Sequence, residues 1–258
     1  MRDTDRVATG VPALDEMLNG GLLAGSVNLV SGSPGAGKST LAVQFLLEGI
    51  RRGESGAYIS LEEEKNRFFH NMRSYGWDLK QAEDECALYF EFFTTEDLLQ
   101  QITDGYQVID QELRKVRAKR LVVDSISAYL LACDSELGRR NELKRLFDNI
   151  RKWGVTAILT GESCGSDSDS GVDYLVDSII RLHSMRPPGV EEHRRRFIEV
   201  EKMRGSWHSR ELAPMEITCQ GVVLATKMAD FGVLNSGSQP NALPHMCGFK
   251  YNDKNSFI

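Results

Sequence analysis

Residues 32–40 read Gly32-Ser33-Pro34-Gly35-Ala36-Gly37-Lys38-Ser39-Thr40, a fit to Gly-x-x-x-x-Gly-Lys-Ser/Thr, the phosphate-binding loop. The run Val27-Asn28-Leu29-Val30 before it predicts a buried strand. The segment after it is amphipathic: Leu41 and Phe45, Ala42 and Leu46, and Leu46 and Ile50 are four apart. A strand feeding a glycine loop that opens a helix is the context this motif needs. Glycines let successive amides turn toward phosphate oxygens, and a helix N-terminus favours the anion. In that motif residues Ser33, Pro34, Gly35, Ala36, Gly37, Lys38, Ser39 and Thr40 surround the phosphates. Lys38 reaches the β- and γ-phosphates, and the Ser39 hydroxyl ligates magnesium.

Outward from the loop, strands and helices alternate. The short segment Ala13 to Leu18 predicts a helix stopped by Gly20-Gly21. Gly56 to Leu61 predicts a second strand running straight into Glu62-Glu63-Glu64, with a helix from about Lys65 to Tyr75. Cys86 to Phe93 reads as a strand. Thr95 to Arg117 reads as one long helix striped by Leu98, Leu99, Ile102, Tyr106, Ile109 and Leu113. Arg120-Leu121-Val122-Val123-Asp124-Ser125 predicts a strand ending in a carboxylate. A helix carrying Leu143, Leu146, Phe147, Ile150 and Trp153 and a strand at Thr156 to Thr160 follow. This alternation implies an α/β fold, a mostly parallel sheet covered on both faces.

After Gly161 the pattern changes to a polar loop, 161–171, and then three strand-like runs, Tyr174 to His183, Phe197 to Met203 and Met215 to Ala225. Their short links predict antiparallel additions at one edge of the sheet. Apolar residues thin out beyond Lys227, so 227–258 reads as a weakly ordered tail or linker and 1–226 as the folded domain.

Bulk properties bound the partners. A net charge of −6 argues against a broad nucleic-acid face. The five cysteines are scattered without a C-x-x-C pair, which favours reduced thiols over a metal site. With neither a signal-peptide core nor a membrane-length apolar run, the expectation is a cytoplasmic protein without a membrane partner.

The loop alone says nucleotide binding; hydrolysis needs magnesium, a positioned water and positive charge on the departing phosphate. Asp124, at the end of an apolar run, is placed as the outer magnesium carboxylate. Glu62 and Glu63 end the strand after the loop helix, where the ligand crevice of an open parallel sheet lies, and a carboxylate there can orient the attacking water. They read equally well as an acidic first helical turn favoured by the helix dipole. Spacing leaves both readings open.

A resemblance shifts that balance. Thr-Gly-Val-Pro-Ala-Leu-Asp at 9–15, the loop, Ser60-Leu61-Glu62-Glu63, Val122-Val123-Asp124-Ser125 and Lys202-Met203-Arg204-Gly205-Ser206-Trp207-His208 together resemble the KaiC-like branch of RecA-type ATPases. The resemblance covers roughly residues 7–226 as a single domain. It implies a RecA-like P-loop fold, ATP and Mg2+ as ligands, and a hexameric ring with ATP between subunits that hydrolyses slowly to drive interactions with regulatory proteins. It implies that Glu62 and Glu63 are the catalytic glutamate pair, joined by Lys38. Lys202 and Arg204 match basic residues that reach a neighbour's nucleotide across a subunit boundary, and His208 matches a further trans contact at that boundary. Ser39 and Asp124 match the magnesium side, Asp124 through water.

Three departures stand out. Asp173-Tyr174 replaces the Ser-Thr pair of the KaiC kinase domain, which argues against self-phosphorylation there. Cys219 stands where the family often has Asp, and Thr160-Gly161-Glu162-Ser163 where it has Thr-Thr-Glu-Arg. Two alternatives remain in view: a RecA/RadA-type DNA recombination or repair ATPase, and a nucleotide-gated scaffold with little turnover. Asp167, Asp169 and Asp173 in the later loop repel phosphate and disfavour the first.

Overall fold

A computed structural model describes residues 6–131, 136–162, 171–185 and 194–225. The proposed tail at 227–258 and the middle of the polar loop, 163–170, lie outside the described residues. In chain order the elements are β1 (Arg6–Val7), α1 (Pro12–Met17), β2 (Leu22–Leu23), β3 (Val27–Gly32), α2 (Lys38–Arg51), β4 (Ser55–Ser60), α3 (Lys65–Met72) and α4 (Leu79–Asp84). Then come β5 (Leu88–Phe92), α5 (Thr95–Thr103), α6 (Gln107–Val116), β6 (Ala118–Asp124), α7 (Ile126–Leu131), α8 (Glu136–Trp153) and β7 (Thr156–Gly161). The chain continues through α9 (Val172–Leu175), β8 (Ser178–Met185), β9 (Arg195–Met203), β10 (Ala213–Thr218) and β11 (Gly221–Leu224).

Nine strands form one sheet in the order β11-β10-β9-β8-β3-β7-β6-β4-β5. From β8 to β5 every pairing is parallel; β9, β10 and β11 are added antiparallel at one edge. This is the predicted α/β architecture. The parallel strands are buried on both faces, so they read as continuous apolar runs rather than alternating ones. Alternation within them still sorts two cores. Val30, Tyr58, Val122 and Ile158 pack under α2 with Leu41, Phe45 and Leu46. Leu29, Leu121, Val123 and Leu159 pack on the other face with Leu98, Ile109, Leu143 and Phe147.

The structure corrects three expectations. The single helix over Thr95 to Arg117 is two, α5 and α6, separated where Gly105 (φ 68°) and Tyr106 (φ 64°) both take left-handed backbone. The apolar stripe misled because Ile109 and Leu113 resume the same face after the break, beside the Tyr106 ring, which is 1% exposed. Tyr174 to His183 is not all strand: Val172–Leu175 is a helical turn, and β8 starts at Ser178. Met215 to Ala225 is a hairpin of β10 and β11, turning through Cys219-Gln220 between the paired Thr218 and Gly221.

One buried arginine seats α2 on the sheet. Arg120, 1% exposed at the start of β6, pairs through Nε with Glu54 Oε2 at 2.6 Å. Its Nη1 donates to the carbonyls of Ala8 and Phe45, both at 2.7 Å, and the guanidinium lies 4.7 Å from the Phe45 ring centre. A Cβ added at Gly49 on α2 would collide with Arg120 Nε and Cδ. Helix propensity alone makes Gly→Ala favourable by about 1 kcal/mol. Here the sign reverses: Gly49→Ala is expected to destabilise the protein by about 1–3 kcal/mol through overpacking, read as a lower midpoint in denaturant.

Candidate nucleotide site

β3 ends at Gly32 and the chain turns through residues 33–37 into α2. Gly35 (φ 75°) and Gly37 (φ 107°) supply the left-handed backbone of that turn. Ala36 N donates to Ser33 O at 3.1 Å, and Leu41 N to Gly37 O at 2.9 Å. The amides of the first helical turn have no helical acceptor and are available to an anion. Ser33, Lys38 and Ser39 are half-buried, Pro34 and Gly35 exposed, and Ala36, Gly37 and Thr40 buried. Lys38 Nζ closes across the loop to the carbonyls of Gly32 at 2.9 Å and Ser33 at 3.3 Å. The β10–β11 hairpin flanks the loop. A Cβ on Gly37 would meet Ile217 Cδ1 at 2.9 Å, and Gln44 on α2 holds Val222 by bonds of 2.7 and 3.2 Å.

Under the loop lies Asp124, 6% exposed at the C-terminal end of β6. Ser39 Oγ donates to its Oδ2 at 2.7 Å, joining the loop helix to the strand. Two further hydroxyls donate to the same carboxylate, Tyr58 to Oδ2 and Thr160 to Oδ1. Register explains the meeting. Tyr58 pairs with Val122, two residues before Asp124 and therefore on the same face. Thr160 follows Leu159, which pairs with Val123, so it stands level with Asp124 on the neighbouring strand. Burial first, and then the Asp124 charge, push the Tyr58 phenol well above its ordinary value, so it acts as a donor. The sequence assigns no role to Tyr58, and Thr160 enters it only as the first residue of Thr160-Gly161-Glu162-Ser163, without a role of its own. Each sits inside an apolar strand run, and strand order would have been needed to aim it at Asp124.

The two glutamates part company. Leu61 N donates to Asp124 O at 2.6 Å, which ties the end of β4 to the end of β6. Just beyond, the exposed Glu62 accepts a hydrogen bond from Ser125 Oγ through Oε1, next to the Asp124 site. Glu63 Oε1 turns to α3, accepting from Asn71 Nδ2 at 2.7 Å and lying 3.0 Å from Arg67 Nε.

Lys202 and Arg204 lie at the other end of the sheet. On β9, Lys202 is level with Ile179 of β8, which is level with Leu29 of β3. That is three residues, about 10 Å along the strand, before Gly32, and two strands aside. Lys202 Nζ donates to the carbonyls of Asp173 at 2.6 Å and Val176 at 2.8 Å, and Arg204 donates to Tyr174 O. Burial and then the Arg204 charge lower the Lys202 ammonium from its ordinary value. His208 is half-buried in a groove beside Ala13, Glu16 and Met17 of α1. Lys202 and Arg204 therefore do not join this chain's own loop.

The oxygen donors of Ser39 and Asp124 suit magnesium, which takes few protein ligands and keeps waters and phosphate oxygens for the rest. Among the described residues no group of three or more His, Cys, Asp or Glu is placed to hold a metal ion, and no helix is long and apolar enough to cross a membrane.

Comparison with known proteins agrees with this geometry. The ATPase family profile described as KaiC matches residues 7–229. The circadian clock protein KaiC3 of Synechocystis is 33% identical over 95% of this chain, but the chain spans about half (51%) of that protein's length. A UPF0273 protein of Pyrococcus furiosus is 34% identical over 85% of this chain and 93% of its own. Among solved structures, a KaiC-like protein from Pyrococcus horikoshii superposes with a TM-score of 0.77 at 31% identity, covering 86% of this chain and 99% of that one. With the loop, the strand-end carboxylates and the RecA-type sheet in place, the chain belongs to the KaiC family of P-loop ATPases.

Proposed function

We propose that this protein is an ATP hydrolase whose site is completed only when two copies meet in a closed ring. The observation that carries the reading is the separation just described: the loop sits at one end of the parallel strands and Lys202 and Arg204 at the other. A cation placed so far from its own loop can act on a nucleotide only in a neighbour.

The loop amides and Lys38 hold the triphosphate, with Lys38 exchanging the Gly32 and Ser33 carbonyls for phosphate oxygens. Ser39, which donates its proton to Asp124, would offer its oxygen to magnesium, and Asp124 would hold a water on that side. Bound magnesium neutralises charge on the β- and γ-phosphates. Glu62, beside this assembly, orients the attacking water and accepts its proton. Glu63 supports the α3 side through Arg67 and Asn71. The partner copy supplies Lys202 and Arg204, and His208 lies at the same boundary. Charge that arrives only on assembly makes hydrolysis conditional on the ring. Slow turnover then suits a protein whose nucleotide state is read by regulatory protein partners.

Phosphate release tests these roles. Glu62→Gln is expected to slow turnover at least 10²-fold, within the range for a lost general base. Glu63→Gln is expected to cost far less, since its carboxylate faces α3. Equal rates for wild type and Glu62→Gln would remove the base assigned here. Removing both cations, Lys202→Ala with Arg204→Ala, is expected to cost about 10³-fold or more, as for an arginine finger in trans. A mixing assay separates trans from cis. That double variant and Lys38→Ala, each inactive alone, should regain activity when co-assembled, because some interfaces then pair an intact loop with an intact finger. No recovery in mixed assemblies would contradict the shared site.

A further inference from the structure

We infer that Tyr58 and Thr160 are positioning residues whose hydroxyls hold the Asp124 carboxylate in the orientation that sets Ser39 for magnesium. The inference deepens the proposed function and rests on the reading of the loop as a magnesium–nucleotide site.

A carboxylate has about four acceptor positions on its two oxygens. Ser39 and Tyr58 take two on Oδ2, and Thr160 takes one on Oδ1. One position remains, on Oδ1, for a water donor. The side chain is thus pinned from both oxygens, by strands on either side of β6: Tyr58 from β4 and Thr160 from β7. Asp124 is 6% exposed and its fixed donors are these three hydroxyls, so a carboxylate short of one turns toward the donors that remain. Ser39 would turn with it, because its hydroxyl proton is committed to Oδ2. In metal sites the groups that orient a ligand matter nearly as much as the ligand itself.

Packing does not require the phenol oxygen. The Tyr58 ring stacks on Phe90 at 5.3 Å with 9° between planes, and lies 4.6 Å from Phe68. Phenylalanine keeps those contacts and removes only the hydroxyl. At position 160, valine keeps the shape of threonine and removes its donor, whereas serine keeps the donor.

The experiment uses the full chain as wild type, Tyr58→Phe, Thr160→Val and Thr160→Ser. Binding of a non-hydrolysable ATP analogue is followed by calorimetry as magnesium is titrated, with thermal midpoints and binding in chelator measured alongside. Tyr58→Phe and Thr160→Val should need about tenfold or more magnesium for half-saturation, the usual cost of losing an orienting partner. Their analogue binding in chelator should match wild type, and Thr160→Ser should track wild type throughout. Should Tyr58→Phe fail to fold, the Thr160→Val and Thr160→Ser pair decides the matter. Half-saturation at the wild-type magnesium concentration in both donor-deleted variants would overturn the positioning role and leave the loop reading intact. A wild type whose binding ignores magnesium would overturn both.

Discussion

The hydrogen bond from Ser39 to Asp124 is the constraint around which this molecule is arranged. It fastens the first turn of the loop helix to the end of the central strand β6, across the core beneath the loop. Everything that surrounds it serves that junction. The apolar strand runs bring β4, β6 and β7 to end at one level, so that Tyr58, Asp124 and Thr160 share a face. Arg120 holds the C-terminal half of α2 through the Phe45 carbonyl and pairs with Glu54 just beyond it, so the helix cannot tilt off the sheet without breaking a buried hydrogen bond. These contacts hold the helix that the loop opens into. An organised loop owes less ordering entropy on binding than a mobile one.

Strand direction imposes the second constraint. In a parallel sheet all ligand-facing strand ends lie at one edge. An antiparallel strand added beside them runs back toward the opposite edge and delivers its C-terminal residues there. β9 does this, and Lys202 and Arg204 follow from it. On the proposed function, the polarity of one chain would provide a nucleotide end and a cationic end, the asymmetry that head-to-tail rings need. The carbonyls of α9 that hold both cations lie within the same chain, next to the segment that follows β7.

Much of this could be read from the residues. The loop, its strand and its helix were legible because one motif constrains all three. β4, β6 and β7 were legible because buried parallel strands are apolar throughout and end in polar residues. The break between α5 and α6 was hidden, since Tyr106 keeps the apolar phase while adopting left-handed backbone. The turn at Cys219-Gln220 was hidden in the same way, by apolar residues on both sides. Within the site, Asp124 was found by its position after an apolar run. Glu62 and Glu63 were indistinguishable as neighbours in the sequence, and only the fold separates them, through Ser125 for one and Arg67 with Asn71 for the other. The hydroxyls of Tyr58 and Thr160 had no assignable role in the sequence, because they acquire one only once strand order places them beside Asp124.

The central claim is that hydrolysis belongs to an assembly and not to a single chain. Turnover per protomer, measured from nanomolar to micromolar protein with molar mass recorded on the same samples in Mg–ATP, tests it most directly. The account predicts that specific activity rises in step with the fraction assembled and falls away on dilution to monomer. A monomer that turns over ATP as fast as the assembled protein would contradict it.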